Sequence, residues 1–414
     1  MGQLKKTLNI LQEFSLPLIF GVVAALIAAN IDEHAYHVIV DYPVFGQGAE
    51  ILGHKVTAHF LINDIFMVFF FGIAAKEITE ACLPGGDLNP PSKAINPLLG
   101  TLGGVFGPIG VYFLLLNLLY SGHGDFDAVA RGWGIPTATD IALAWLVARV
   151  VFGAKHPAVN FLLLLAVADD AIGLGIIAVF YGDPSNPAAP EYLLYFTVPA
   201  MIIAFILRKK QVMAWFPYIL LAGSLSWVGF IMAHLHPALA LVPIVPFLPG
   251  PTRDTGMFEA EDETDQEHQA GHHEHDHSPL HNFEHNLKLP VDLGLFFFAF
   301  ANAGVAFGSV NAVTWMILAS LIVGKIIGIT LFSGLGAKVG FPLPDGMNIQ
   351  HLIVAGTIAG LGLTVALFVA GEAFPGDSAY QGPAKMGAVL SAGAGLVAFV
   401  LARIFGIKPQ KEAA

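Results

Sequence analysis

The chain has 414 residues, a length that by itself suggests two or three soluble domains. Its composition argues otherwise, because charged residues make up 12% of the chain, about half of the roughly 25% found in globular proteins. Apolar residues make up 55%, and the single cysteine excludes a disulfide scaffold. The sequence therefore predicts an all-α polytopic membrane protein and excludes an ordinary soluble enzyme and a disordered chain.

Twelve apolar segments are long enough, or nearly so, to cross a bilayer as helices of about 20 residues. A single membrane domain is therefore expected over residues 1–406, followed by a short tail at 407–414. The segment 236–249 is short and is expected to be tilted or re-entrant. The predicted spans are 12–31, 59–82, 95–120, 130–152, 157–181, 192–208, 212–234, 236–249, 290–308, 312–335, 349–371 and 384–406.

The distribution of Lys and Arg predicts the orientation of these spans. Fifteen of the 19 basic residues fall on the side that holds both chain termini. Because cytoplasmic loops carry an excess of Lys and Arg, both termini are expected to be cytoplasmic. The sequence thus predicts a multi-pass membrane protein with both ends in the cytoplasm.

Two polar stretches lie outside the predicted spans. On the outer side, residues 32–59 contain β-branched runs at 38–40 and 51–56 around Gly46-Gln47-Gly48, which predict a β-hairpin.

The second polar stretch, residues 250–288, accounts for most of the net charge of −12. Between Arg253 and Lys288, ten acidic and two basic residues leave a charge of −8, and seven of the 16 histidines lie there. We interpret it as an acidic, solvated cytoplasmic loop. Its run from His272 to His277 also suits Zn²⁺, Ni²⁺ or Cu²⁺, an alternative that the sequence leaves open.

Four ionisable residues lie well inside predicted spans, where they mark a transport pathway or a binding site. Three of them are acids and one is a base, so the interior is net negative and suits a cation. They are Asp140, Asp169, Asp170 and Lys325.

Asp169 and Asp170 are neighbours, so on a helix their side chains point about 100° apart and serve different purposes. One can face a water-filled cavity while the other binds a partner helix. Because adjacent carboxylates repel in a medium of low dielectric, at least one is expected to hold a proton that a metal cation can displace. The alternative is a structural pair that stabilises a buried bend.

Lys325 lies mid-span, without a basic neighbour, and needs a carboxylate partner. It can act as a structural tether or as a titrating proton carrier. We favour a direct pair with Asp169, because this pairing leaves Asp170 for the cation.

Two spans carry signs of an interrupted helix. Pro136 and the Thr-rich residues before Asp140 predict a break in the fourth span, and Gly360-Leu361-Gly362-Leu363-Thr364 predicts one in the eleventh. Breaks in corresponding positions of 95–181 and 312–406 indicate inverted repeats around a mid-membrane site. Half-helix ends carry partial charges, which Asp140 can offset at amide ends and Lys325 at carbonyl ends.

At these residues the chain resembles the NhaA family of sodium–proton antiporters, in the order of the family's helices and over most of the chain. The segments that carry the resemblance are Asn63-Asp64 with Met67–Phe70, Gly132–Ala142, Ala166–Gly173, Phe298–Val305, Gly324-Lys325 and Gly360–Thr364.

The resemblance implies that Asp170 is the main sodium ligand, that Asp169 contributes to the site, and that Lys325 is the partner of Asp169. Thr139, Asp140, Gly360, Gly362 and Thr364 would then belong to two crossed, interrupted helices. The implied fold combines a core of two repeats with an interface domain that can form a homodimer. The implied activity is export of Na⁺ or Li⁺ in exchange for two protons per ion.

Departures from the family pattern concern pH regulation. The family's acidic run at the end of the second helix reads Ile73–Glu80 here, and only Lys76 clearly matches. The Glu-His pair before the ninth helix is retained as Glu284 and His285, to which the resemblance assigns pH regulation. The transport core is therefore expected to be intact and the regulatory surface altered.

Two other classes of function stay open from the sequence. A sodium-coupled symporter of an organic anion could share the fold, but no spare buried Arg or Lys is evident for the anion. A non-transporting membrane sensor is the second alternative. For the antiporter, the expected partners are membrane lipid and the ions Na⁺, Li⁺ and H⁺, with no enzyme activity, cofactor or nucleic-acid partner.

Overall fold

The computed structural model describes residues 15–46, 48–83, 86, 91–182, 188–250, 278–376 and 379–409, and these residues are mostly helical. The longer helices are α1 Leu16–Ile31, α2 Glu33–Val40, α3 Ala58–Cys82, α4 Pro91–Tyr120, α5 Phe126–Thr137, α6 Ile141–Phe152, α7 Pro157–Phe180, α8 Val198–Lys209, α9 Tyr218–Met232, α10 Pro279–Asn302, α11 Ala312–Lys338, α12 Ile349–Ala359, α13 Leu363–Ala373 and α14 Gln381–Ile404.

Within these described ranges, five helices are long and apolar enough to cross a membrane, and seven spans result if each of two bent pairs is counted as one. The five are α3, α4, α7, α11 and α14, and the bent pairs are α5 with α6 and α12 with α13. The helices α1 and α9 are apolar but shorter. The fold is therefore that of a helical membrane protein, whereas the number of twelve spans stays a prediction.

The predicted span at 236–249 is wrong as a continuous helix. The structure has two 3₁₀ turns there, Pro237–Leu239 and Val245–Phe247. Four prolines within 14 residues remove backbone donors and prevent a regular hydrogen-bond ladder.

The outer polar stretch at 32–59 begins with a helix, so the strand predicted at 38–40 is wrong. Asp32 caps α2 by accepting a hydrogen bond from the Ala35 N–H, and this local signal prevails over the β-branched run. Two short antiparallel strands follow, β1 Glu50–Ile51 and β2 His54–Lys55, joined through Leu52 and Gly53.

The boundary of the acidic loop also needs correction. Helix α10 begins at Pro279, so the last ten residues of the predicted loop at 250–288 are helical. Residues 251–277, including the histidine run, lie outside the described residues, as do 1–14 and 410–414 at the two ends.

Contacts divide the chain into two compact units. The first contains residues up to Phe66, Ile95–Pro187 and Val291–Ala414, and the second contains Met67–Ala94 and Ala188–Pro290. The first unit includes both bent helix pairs, and the second includes α8 and α9.

In the first unit, glycines bring α4 and α11 into backbone contact. A Cβ atom at Gly103 would meet the Gly328 carbonyl oxygen, and one at Gly107 would meet the Gly324 carbonyl oxygen. Small residues allow such close approach of helices in membranes, where van der Waals packing drives association. This contact fixes α11 beside α4 next to Lys325.

A reciprocal amide pair joins α3 and α10 in the same unit. Asn302 donates to Asn63 Oδ1 at 2.9 Å, and Asn63 donates to Asn302 Oδ1 at 3.2 Å. Both side chains are buried, so each satisfies a polar group that would otherwise be costly there.

Several helices contain π-helical turns, which accommodate one extra residue per turn. One of them, Leu61–Phe66, contains Asn63 in α3, and another, Ser320–Gly324, lies in α11 immediately before Lys325. In the second unit, Leu193–Thr197 leads into α8, and Tyr218–Gly223 opens α9.

Candidate functional site

The two bent helix pairs meet at their breaks. The first pair bends by 52° between α5 and α6, and the second bends by 51° between α12 and α13. The Asp140 N–H donates to the Leu361 carbonyl at 2.6 Å, which joins the first break to the second. Gly362 permits this approach, because a Cβ there would lie 3.2 Å from the Ala138 carbonyl oxygen and 2.7 Å from a Leu321 methyl group.

Asp140 lies at the amide ends of two half-helices. Its Oδ1 accepts from the Leu143 N–H at 3.1 Å and so caps α6. Its Oδ2 accepts from the Thr364 hydroxyl at 2.9 Å and from the Thr364 N–H at 3.3 Å, in the first turn of α13. A carboxylate here stabilises the positive ends of both helix dipoles, as the sequence predicts.

Lys325 lies at a carbonyl end of the first broken pair. Its ammonium donates to the Thr137 carbonyl at 2.6 Å, where α5 ends, and to Thr139 Oγ1 at 3.1 Å. It also binds Asp169 Oδ2 at 2.5 Å, and both side chains are fully buried. The structure thus brings together the pair that the sequence favours.

Thr139 connects this ion pair to the second break. Its hydroxyl lies 2.8 Å from Asp169 Oδ2 and 2.9 Å from the carbonyl of Ala359, the last residue of α12. A hydroxyl has one proton, so Thr139 donates to one of these acceptors at a time. Gly360 ends α12, and a Cβ there would lie 3.0 Å from the Leu321 carbonyl oxygen.

Asp170 lies next in the chain and has a different environment. Its residue is 8% exposed, compared with 0% for Asp169. Among the described residues, Asp170 Oδ1 is a buried oxygen without a hydrogen-bond partner. The charges that act on it are those of Asp169, Asp140 and Lys325.

The site has the electrostatics of a cation site. Three carboxylates face one ammonium, so with all four groups ionised the net charge is −2, and Asp170 carries the least compensated part of it. Within the described ranges, no three His, Cys, Asp or Glu side chains are grouped to hold a metal ion. Carboxylate oxygens such as those of Asp170 are ligands that suit hard cations.

Comparison with known proteins identifies the family. A profile described as Na⁺/H⁺ antiporter 1 matches residues 6–405. The Na⁺/H⁺ antiporter NhaA of Desulfitobacterium hafniense (strain DSM 10664 / DCB-2) is 55% identical over 413 residues, which cover 100% of this chain and 99% of the relative. The chain belongs to the Na⁺/H⁺ antiporter NhaA family. The NhaA proteins of Geobacter sulfurreducens and Jannaschia sp. (strain CCS1) are 54% and 44% identical, over 98% and 97% of this chain and 99% of each relative.

One cluster of buried charges in this NhaA family member was missed from the sequence. Lys76 in the second unit is fully buried and binds Glu77 Oε1 at 3.3 Å, Glu80 Oε2 at 2.6 Å and Glu284. The spacing of Lys76 and Glu80 by four residues was a signal for part of it. All four residues are buried although they lie near the end of a span.

The two residues predicted to regulate pH dependence, Glu284 and His285, belong to the second unit. Glu284 and His285 lie on α10, where Glu284 contacts Lys76 and His285 stacks on His281 with ring centroids 6.2 Å apart. They do not belong to the group around Asp170.

A second buried lysine missed from the sequence lies in the first unit. Lys385 is 9% exposed on α14, within the field of Glu372 and Asp41. Lys76 and Lys385 are thus two buried bases in addition to Lys325. Both additional lysines, however, have carboxylates nearby.

Proposed function

We propose that this protein exports Na⁺ from the bacterial cytoplasm in exchange for H⁺, with Asp170 as the main cation ligand. The observation that carries the proposal is the contrast between two adjacent carboxylates. Oδ1 of each carboxylate is buried without a hydrogen-bond partner among the described residues, but Asp169 Oδ2 is bound by Lys325 and Thr139, whereas no described hydrogen bond or ion pair reaches the Asp170 side chain. The family names of the relatives support the same exchange.

Transport follows from competition for the carboxylates. Na⁺ or Li⁺ reaches ionised Asp170 from the cytoplasmic side and displaces a proton, with Asp169 as a second proton-binding group and weaker ion ligand. The loaded site then opens to the outside, releases the cation and returns with protons bound. A ligand shifts the equilibrium between the inward-open and outward-open states only by its different affinity for them. The protein must therefore change between these states with either the cation or protons bound.

The two helix breaks make the site able to move without losing its hydrogen bonds. Thr139, Asp140 and Thr364 compensate half-helix ends. Gly362 allows the second break to approach the Ala138 carbonyl, and Gly360 allows the end of α12 to approach the Leu321 carbonyl of α11. We infer that the breaks form the crossed assembly of two inverted repeats, 95–181 and 312–406, and that the other helices form an interface domain suited to a homodimer.

The expected stoichiometry is two protons inward for each Na⁺ outward, with both chain termini in the cytoplasm. Such exchange moves net charge, so voltage should drive it. In proteoliposomes, a K⁺ diffusion potential made with valinomycin should shift the Na⁺ gradient at which proton flux reverses. A reversal point that ignores voltage would contradict the two-proton stoichiometry.

The direct test of the site is Asp170→Asn, which keeps the volume of the side chain and removes its charge. We expect Na⁺-dependent and Li⁺-dependent proton flux in proteoliposomes to fall to the level of empty liposomes. The matched control is Asp345→Asn, because Asp345 is exposed in the loop before α12. Unchanged flux in Asp170→Asn would refute the assignment and favour a sensor or a different site.

Regulation by pH is proposed for Glu284 and His285 on the evidence of the buried Lys76 cluster. Glu284→Gln should change the pH at which flux is half-maximal without abolishing flux at its optimum. An unchanged pH profile would remove Glu284 from the regulatory machinery.

A further inference from the structure

A tyrosine hydroxyl bridges two backbone groups of α5, the first half of the first broken span. The last part of α5, Arg131–Thr137, is a 3₁₀ helix, in which an N–H pairs with the carbonyl three residues earlier. The Tyr181 hydroxyl accepts from the Gly134 N–H at 2.8 Å and donates to the Arg131 carbonyl at 2.7 Å. It therefore contacts both partners of one 3₁₀ turn. Without it, these two groups could pair only with each other, so at least one hydrogen bond to α5 would be lost.

The sequence of α5 leaves room for this tyrosine. A Cβ atom at Gly134 would lie 2.6 Å from the Tyr181 hydroxyl oxygen and 2.7 Å from a carbon of its ring, so only glycine fits there. Tyr181 is buried and follows directly on α7, the helix that contains Asp169 and Asp170. The contact thus connects the helix of the two aspartates to a fixed point on α5.

From Gly134, hydrogen bonds continue to Lys325. The Thr137 hydroxyl donates to the Gly134 carbonyl at 2.7 Å, and the Thr137 carbonyl accepts from the Lys325 ammonium at 2.6 Å. All of these residues are buried. We call Tyr181, Gly134, Thr137 and Lys325 the tyrosine–lysine network.

The position of the Lys325 ammonium matters for the candidate ion site. A lysine has a flexible four-carbon stem, so its acceptors decide where the ammonium lies. Those acceptors are Asp169 Oδ2, Thr139 Oγ1 and the Thr137 carbonyl, of which only the last belongs to the backbone. The same ammonium charge acts on Asp170. A shift of the Thr137 carbonyl would therefore change the electrostatic field at both aspartates.

We propose that Tyr181 is a positioning residue of the candidate ion site, which acts through Gly134 and Thr137 to direct the Thr137 carbonyl toward Lys325. Its hydroxyl holds the end of α5 in the binding geometry before a cation arrives, so less ordering is needed when the ion binds. The consequence for transport rests on the proposed function.

Tyr112 on α4 provides a matched control. Its hydroxyl also donates to a carbonyl of α5, that of Val129, at 2.6 Å, and it also packs against a glycine, Gly132. Tyr112 is fully buried, and no described hydrogen bond leads from its hydroxyl toward Thr137. Tyr112→Phe therefore removes the same group from the same half-helix and leaves the tyrosine–lysine network complete.

The first measurement is proton flux in proteoliposomes as a function of Na⁺ concentration at one pH. In Tyr181→Phe, the half-saturating Na⁺ concentration should rise about three- to tenfold, as expected for the loss of one hydrogen bond that orders the site. The maximal rate should change by less than about twofold. Tyr112→Phe should keep the half-saturating concentration of wild type. A lower maximal rate at an unchanged half-saturating concentration in Tyr181→Phe would show a merely structural role and refute the proposal.

Variants of Thr137 test the middle of the network. Thr137→Val removes the hydroxyl and should raise the half-saturating Na⁺ concentration as Tyr181→Phe does, whereas Thr137→Ser keeps the hydroxyl and should behave as wild type. Because both changes interrupt one network, the double variant Tyr181→Phe with Thr137→Val should be no worse than the more affected single variant. Effects that multiply in the double variant would show that the two residues act independently, which would refute the network.

The second measurement does not depend on transport. Hydrogen exchange of the backbone amides at 134–140 can be followed by mass spectrometry in detergent without Na⁺. Exchange should be at least about threefold faster than in wild type in both Tyr181→Phe and Lys325→Met, because each frees one end of the network. Tyr112→Phe should leave this exchange unchanged.

No acceleration in Tyr181→Phe, or an equal acceleration in Tyr112→Phe, would refute the tyrosine–lysine network. Flux that is absent in all proteins, together with the expected exchange pattern, would count against the proposed function and leave the network standing.

Discussion

Replacing Lys325 by Met should leave Asp169 as an uncompensated charge inside the protein. The ammonium is fully buried and makes three contacts, to Asp169 at 2.5 Å, to the Thr137 carbonyl at 2.6 Å and to Thr139 Oγ1 at 3.1 Å. Removal of one partner from a buried ion pair typically costs about 3–5 kcal/mol. We therefore expect Lys325→Met to lower the free energy of unfolding by that amount.

The prediction becomes specific in a double-mutant cycle. In Asp169→Asn with Lys325→Met, no buried charge is left unpaired, and replacement of both partners is often close to neutral. The double variant should therefore recover most of the loss, with a coupling energy of about 2–4 kcal/mol between the two sites.

The assay is thermal unfolding in detergent, followed by size-exclusion chromatography of the heated samples at a fixed heating rate. By the scaling of unfolding entropy with chain length, a loss of this size corresponds to a fall in melting temperature of roughly 3–6 °C for Lys325→Met. Lys338→Met on the same helix is the control, because Lys338 is exposed at the end of α11. If the double variant is as unstable as the sum of the two single variants, Lys325 and Asp169 do not act as a pair, and Lys325 is better described as a proton carrier than as a tether.

Two further substitutions test how the first unit is packed. Gly103→Ala should destabilise the protein by about 1–3 kcal/mol, because its Cβ would meet the Gly328 carbonyl oxygen, whereas Gly110→Ala on the same helix has open space and should be neutral or slightly stabilising. Equal melting temperatures for these two variants would show that α4 and α11 do not touch at Gly103. Asn302→Leu should cost about 1–3 kcal/mol by depriving the buried Asn63 Oδ1 of its donor, and adding Asn63→Leu should restore part of the loss in the same unfolding assay. A double variant less stable than the single one would indicate that apolar packing, not the amide pair, sets the cost.

The residues of the candidate ion site were largely predictable because they are charged where the pattern of the spans is apolar. Asp169, Lys325 and Asp140 are ionisable residues well inside predicted spans. A buried ammonium needs a carboxylate, so charge balance favours the pairing of Lys325 with Asp169. The break before Asp140 was evident from Pro136, which removes a backbone donor.

Other features depend on contacts between distant residues and left no local signal. His156 and His351 are ordinary polar residues at span ends in the sequence, and only folding stacks their rings. Lys76 lies close to a span end, yet it donates a hydrogen bond to Glu284, which is 208 residues away in the sequence. The helix at 33–40 was mispredicted because strand propensity of three β-branched residues is a weak preference that a single capping side chain, Asp32, reverses.

The π-helical turn at Ser320–Gly324 has an evolutionary consequence. Such a turn contains one residue more than a regular turn, so the side chains beyond it are rotated by about 100° relative to an uninterrupted α-helix. Lys325 is the first residue beyond it, and its direction toward Asp169 depends on that extra residue. A one-residue deletion within this stretch would shorten α11 by less than 2 Å, yet it would turn the ammonium away from its carboxylate. The number of residues in Ser320–Gly324 is thus constrained by the direction in which the Lys325 side chain points. Insertions or deletions there should be rarer than substitutions.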